Sequence, residues 1–363
     1  MTALTAPARP EEDASLRPVP WRRMAWVTWR QHRITLAGVA VFLGALAVCL
    51  WKVGLGLHQA YAAAVACHPV SSPGCDNLQS RFSGMDDFLA NGYNLLAVPA
   101  LIGAFTGAPV LARELETGTF RYAWTQGFGR WRWTLAKLVP LAVAVTAAAG
   151  AFSVLLSWYY QPYFAARNAA LSLPELSSLG DGLFDLRGIV FATWALAAFA
   201  IGALAGMLIR RVVPAIAATL AAYTGLAVAA ALYLRQHYLT PLVTSNLAFN
   251  KTPGSAWILS QWWTKGGTTV SQSTMNHVIT PMFYRTFPQV HRSAPKGTAV
   301  HVQKGQTLLD VLHYLARHGY TEWTRYQPAS RLWPFQWIEG GWLLALSVLL
   351  IAATVWLVRR RAA

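Results

Sequence analysis

The stretch Ala112–Leu138, ARELETGTFRYAWTQGFGRWRWTLAKL, is a short polar connection that gathers acidic, basic and aromatic residues between two apolar runs. Glu114 and Glu116 form a spaced acid pair, Gly118-Thr119 breaks the chain after them, and Phe120 and Arg121 follow. Arg130 and Lys137 then bring cations back beside Trp131 and Trp133, a pairing that anchors a helix at a membrane–water interface. The spacing predicts a short helix and turn lying along a membrane surface; composition alone would make it an ordinary charged loop. No G-x-x-x-x-G-K-[ST] phosphate loop, H-E-x-x-H zinc motif or G-x-S-x-G nucleophile elbow occurs in the chain.

Two other groups could do chemistry. Cys67 and Cys75 stand eight residues apart around Pro73-Gly74, and an oxidising exterior would let them form a disulfide that staples their loop. Cys49 lies inside an apolar run and reads as a small core residue. His237, His277, His291, His301, His313 and His318 cluster late in the chain, but their spacing matches no ligand set, so surface histidines rather than a metal site are expected.

The elements that must position these residues are set by composition. The chain is 55% hydrophobic and only 12% charged, with 17 Trp. Soluble domains carry about 25% charged residues. Six apolar runs approach the roughly 20 residues needed to cross the hydrocarbon core: about Ile34–Trp51, Tyr93–Leu111, Thr134–Tyr159, Ile189–Ile209, Val212–Leu234 and Trp337–Val358. A soluble protein with these helices buried would have almost no polar surface left. The predicted fold is therefore an all-α polytopic membrane protein with six spans.

Basic residues orient it. Arg17, Arg22, Arg23, Arg30 and Arg33 precede the first run; Arg113, Arg121, Arg130 and Arg132 lie between the second and third; Arg210 and Arg211 fill the fourth-to-fifth turn; Arg359, Arg360 and Arg361 close the chain. Six spans put all four regions on one side, and the positive-inside rule makes that side the cytosol. The net charge of +16 is read through this topology, and no nucleic-acid partner is expected. Arg235–Gln336 departs from the rule, holding ten Lys/Arg against Asp310 and Glu322 on the outer side. Long segments cross regardless of charge. Within it, Leu308, Leu309, Leu312 and Leu315 recur at helical spacing and Gly319 would end the helix, so a small extracellular domain is expected.

Gly103-x-x-x-Gly107 and Gly202-x-x-x-Gly206 allow close helix approach, within the chain or at a subunit interface. Ionisable residues are nearly absent from mid-membrane positions. Asp185, Arg187 and Glu339 flank spans and are expected to anchor them at the outer surface.

The chain resembles the type-2 ABC exporter permeases. These carry, between their second and third spans, an acid pair, Gly-Thr, an arginine some ten residues on and a lysine opening the third helix; Glu114, Glu116, Gly118, Thr119, Arg130 and Lys137 match in order. TWRQHR before the first span and RLWPFQWIEGGW before the last are similar to permeases common in actinobacteria. The resemblance implies a coupling helix that docks on a separate ATPase, with Glu114, Glu116, Gly118, Thr119, Phe120 and Arg121 as contacts. It implies a dimer with a second permease chain in the lipid bilayer of a bacterial plasma membrane. ATP and Mg would sit at the partner ATPase, and no cofactor on this chain, which would not itself be an enzyme. Taken with the residue pattern, the chain divides into a disordered cytosolic tail (1–20), an amphipathic interfacial helix (21–33), five spans with the coupling segment 112–133 (34–234), an extracellular insert (235–336), and the sixth span with a basic tail (337–363). The long insert departs from the family, which usually places short re-entrant helices there. A receptor sensing through that insert is the competing reading.

Overall fold

The computed structural model describes residues 20–67, 73–83, 92–118, 130–168, 179–180, 182–245, 256–286, 313 and 315–361. Among them, six helices are long and apolar enough to cross a membrane. The first is α1, Trp21–Ala66; α2, Pro73–Ser83, follows as a short amphipathic helix. The second to fourth spans are α3 (Ala97–Thr117), α4 (Arg130–Asn168) and α5 (Gly188–Ile209). The fifth is α6, Val212–Ala229, prolonged by a π turn over Ala230–Leu234 and a 3-10 turn over Arg235–His237.

The interfacial segment 21–33 is helical, but no break separates it from the first span. α1 is 46 residues long, roughly 70 Å at about 1.5 Å per residue, more than twice the hydrocarbon thickness. No Pro follows Pro20 in this helix and the first Gly is Gly38, so nothing in the backbone forces a bend at the membrane entry.

α5 is the hub. Its sequence, GIVFATWALAAFAIGALAGMLI, has no charged residue, and it packs on α3, α4, α6 and the sixth span, α8 (Leu332–Arg361). Phe191 and Phe199 are fully buried in one core with Leu111, Ile102, Phe152 and Leu156. The second and fourth spans lie mostly inside the bundle, whereas the first, fifth and sixth present most of their surface outward. In a bilayer that outward surface meets lipid, so apolar exposure carries no penalty.

The insert before the sixth span holds a four-stranded antiparallel sheet, which the residue pattern did not foretell. Its strands are β1 (Leu242–Ser245), β2 (Trp257–Lys265), β3 (Thr268–Val270) and β4 (Tyr320–Gln327), in the order β1-β4-β2-β3. Gly266 and Gly267, at φ 57° and 85°, make the tight β2–β3 turn, because a two-residue hairpin needs positive φ at both positions. α7 (Gln272–Thr286) lies on one face, where Met275 and Leu315 are buried against Trp263, Val270 and Tyr320. Of the helix expected over Gln306–His318, residues 313 and 315–317 are described and helical, and Gly319 ends it at φ 78°.

Candidate functional site

The end of the bundle where the second span finishes carries the acid pair. Glu114 and Glu116 belong to the last turns of α3 itself, not to a separate surface helix beyond it. Gly118 closes the helix in the left-handed conformation at φ 74°, which glycine adopts without a Cβ clash. Acids at a helix C-terminus oppose its dipole. Each here has a local reason to be tolerated. Two residues apart on a helix, the side chains diverge. Glu114 turns toward the third span and forms a hydrogen-bonded ion pair with Lys137. The Lys137 side chain is only 5% exposed, against 19% for Glu114, and its ammonium lies 4.4 Å from the Trp133 ring centroid. Glu116 turns to the fifth span, where its Oε2 accepts the backbone N–H of Val212, the first residue of α6, at 3.2 Å. It thereby caps a helix start, the end where a carboxylate is favoured.

One helix end thus fastens two other spans. A third joins them: Thr28 of α1 donates its hydroxyl to the Ala136 carbonyl at 3.1 Å, tying the first span to the third one residue before Lys137. Arg130 opens α4, and Arg132 lies over Trp21 at 5.2 Å. Thr119, Phe120 and Arg121 lie outside the described residues.

The four motif glycines meet between α3 and α5. A Cβ at Gly103 would fall 2.2 Å from Ala198 Cβ, and one at Gly107 would fall 2.3 Å from the Phe199 carbonyl oxygen. Across the contact, a Cβ at Gly202 would be 2.8 Å from the Ala108 nitrogen, and one at Gly206 2.4 Å from the Ala108 oxygen. The contact is between two spans of one chain. Cys67, at the end of α1, is joined to Cys75 in α2 as a disulfide, with Cα atoms 5.6 Å apart.

The opposite end holds a group that sequence reasoning misplaced. Asp185, Arg187 and Glu339 were expected as separate surface anchors. Instead, Glu339 and Arg235 are buried together, at 0% and 3% side-chain exposure, and Asp185 joins them at 17%. Arg235 Nε donates to Glu339 Oε2 at 3.1 Å, and Nη2 donates to Glu339 Oε1 at 2.9 Å and Asp185 Oδ1 at 2.5 Å. Trp194 Nε1 and the Tyr238 hydroxyl donate to the remaining positions on Glu339, both at 3.1 Å. Trp342 Nε1 in turn donates to Tyr238 at 2.9 Å, and the Phe184 ring lies 4.3 Å from the guanidinium. The π turn before Arg235 helps to aim it, since an extra residue in a turn rotates the residues beyond it about the helix axis. Beside the network, Gln336 of the sixth span accepts from Val190 N–H and donates to the Phe184 carbonyl, both at 3.1 Å, so it caps the fourth span. Arg187 points away and stacks on Phe164 at 4.0 Å; burial pulls its guanidinium below the usual arginine range. The available signal was Glu339 in WIEGGW: an acid at the start of an apolar run is buried with a partner by default.

Residues 40–235, more than half of the chain, match the model of the family described as ABC-2 membrane transporter related. The chain belongs to that family. No curated protein and no solved structure matches it. As a member of the ABC-2 membrane transporter related family, the chain is a multi-pass transporter permease component. The matched residues include α3, α4, α5 and α6, hence the acid pair with its partners Lys137 and Val212, and also Asp185 and Arg235 of the buried network. The sheet-bearing segment after Arg235 and the sixth span lie outside the match.

Proposed function

We propose that this chain is the permease subunit of an ABC exporter, coupled to ATP hydrolysis by a separate ATPase that binds ATP and Mg. Two permease chains enclose the substrate pathway, and the N-terminus, the acid pair and the basic tail face the cytosol of a bacterium. The carrying observation is the double attachment of one helix end: Glu114 holds the third span through Lys137, and Glu116 holds the first turn of the fifth. The segment 119–129 leaves directly from this end. A push received there reaches the second, third and fifth spans together. Rigid-body displacement of packed helices is an ordinary way to convert such a push into a change of access. Family membership supports the ATPase partner.

The test is reconstitution. The full chain is co-expressed with candidate ABC ATPases, and the purified complex is placed in vesicles. ATP hydrolysis that depends on the permease and drives solute across the vesicle wall is the expected result. A chain that retains no ATPase, or whose presence leaves hydrolysis unchanged for every candidate, sinks the proposal.

A further inference from the structure

The network at the sheet-bearing end holds charges that do not balance. Two carboxylates, Asp185 and Glu339, face one cation, Arg235. Among the described residues, the elements around them supply no second cation. The fifth span contributes Arg235 and the phenol of Tyr223, and the chain just after it Tyr238; the sixth contributes Glu339 and Trp342; the fourth contributes Trp194; the loop contributes Phe184. Arg187, the nearest other cation along the loop, is turned to Phe164.

The hydrogen bonds are as uneven as the charges. Glu339 accepts four, two on each oxygen. Asp185 accepts from a single nitrogen, Arg235 Nη2, which it shares with Glu339 Oε1. The two acids therefore meet over one NH2 group. Asp185 alone keeps an opening to its surroundings.

We infer that Asp185 and Glu339 form a binding site for one proton, carried on Asp185 and exchanged with the sheet-bearing side of the membrane. With the proton in place, one anion faces one cation. Without it, a net negative charge is held in a poorly solvated junction of three spans and a loop, where an uncompensated charge is expensive. Burial raises the Asp185 carboxyl to about 7; the Glu339 charge pushes the same way and Arg235 opposes both. A folded-state value above the unfolded one means the native protein binds the proton more tightly. Stability from this group is therefore fully present in acid and lost as pH rises through about 7. The site is a property of this chain whatever it transports.

The experiment is an infrared pH-difference spectrum of the full chain in lipid, taken between about pH 6 and about pH 8, a window in which ordinary carboxyls are already ionised. Loss of one protonated-carboxyl stretching band on raising the pH is expected in the wild type, and its absence in Asp185→Asn. A flat carboxyl region in the wild type, or a band that persists in Asp185→Asn, overturns the inference. Denaturant unfolding supplies a second reading. Over the same window the wild-type folding constant falls about tenfold more than that of Asp185→Asn. This difference removes the contribution of the histidines, which titrate in the same range in both proteins. Parallel profiles overturn the inference. Should Asp185→Asn fail to accumulate, Glu322→Gln, which removes another carboxyl raised by burial, is expected to leave the wild-type band in place, and loss of the band in that variant overturns the inference.

Discussion

Removing the Glu114 carboxylate strands a nearly buried cation, and the cost can be worked out. Lys137 has Glu114 as its ion-pair partner, and its side chain is 5% exposed. Interhelical hydrogen bonds in membrane proteins are worth about 0.6 kcal/mol on average. Breaking a buried pair from one side costs about 3–5 kcal/mol, because the remaining charge is left without compensation. The second figure applies here, since Lys137 lies about two turns inside the third span with Trp133 against it. At roughly 2 °C per kcal/mol for a long chain, Glu114→Ala should lower the thermal midpoint by about 6–10 °C. Sequence alone makes the acid pair look dispensable for folding; the buried position of Lys137 reverses that expectation for Glu114. An apolar pair of similar volume, Glu114→Leu with Lys137→Met, should restore the midpoint, because buried ion pairs are often replaceable by packed side chains. Transport per ATP hydrolysed should stay low in this repaired variant if the charge pair itself carries the push. The assay is thermal unfolding of the full chain in nanodiscs, followed by transport and hydrolysis measured together. A wild-type midpoint for Glu114→Ala, or a double variant with the summed loss of both single ones, would refute the reasoning.

The other attachments make separable predictions. Glu116→Ala removes an exposed cap on Val212 and should cost no more than about 1 kcal/mol, so a near-normal midpoint with a reduced transport-to-hydrolysis ratio is expected; unchanged coupling would count against the role of Glu116. Gly107→Ala and Gly206→Ala drive a methyl into backbone oxygens at 2.3 and 2.4 Å and should lose about 1–3 kcal/mol or more, whereas Gly38→Ala, with open space around it, should be neutral or stabilising by up to about 1 kcal/mol; thermal midpoints of the three distinguish them. Mass spectrometry after alkylating the unreduced, unfolded chain should show one modified cysteine, Cys49, and three after reduction. Breaking the short Cys67–Cys75 link should lower the unfolding free energy by about 2–3 kcal/mol, measured by denaturant unfolding.

How much of this could be read in the residues depended on whether the signal was periodic or pairwise. The six spans are additive properties of apolar runs, and each could be read by itself from length and hydropathy. The close approach of Gly103 and Gly107 to Gly202 and Gly206 was half legible: spacing marks a face able to touch a backbone, but not which backbone. The insert was the opposite case. WILSQWWTK and YTEWTRYQ show no clean alternation, since both faces of the sheet carry aromatics, and their pairing spans many intervening residues. Strand signals that depend on a distant partner are weak in a single segment.

The acid pair and the buried network show why charge is the hardest part to place. In sequence, Glu114 and Glu116 look equivalent, two acids before a glycine. A helix separates them by its 3.6-residue turn, so one enters the bundle and the other stays at its rim. Asp185, Arg235 and Glu339 look unrelated, each at the margin of a different apolar run. They converge because antiparallel spans bring the end of the fifth, the start of the sixth and the loop before the fourth to the same depth. Once there, none can remain unpaired in a low-dielectric junction, so each residue's place is decided by the other two. Hydropathy averages that relation away, because a single charge among twenty apolar residues hardly changes the mean. The stronger guide is the opposite one: a charge tolerated at the margin of a span implies a partner at the same depth. Applied to Glu339, it leads to Arg235, and the surplus carboxylate of Asp185 then calls for the proton.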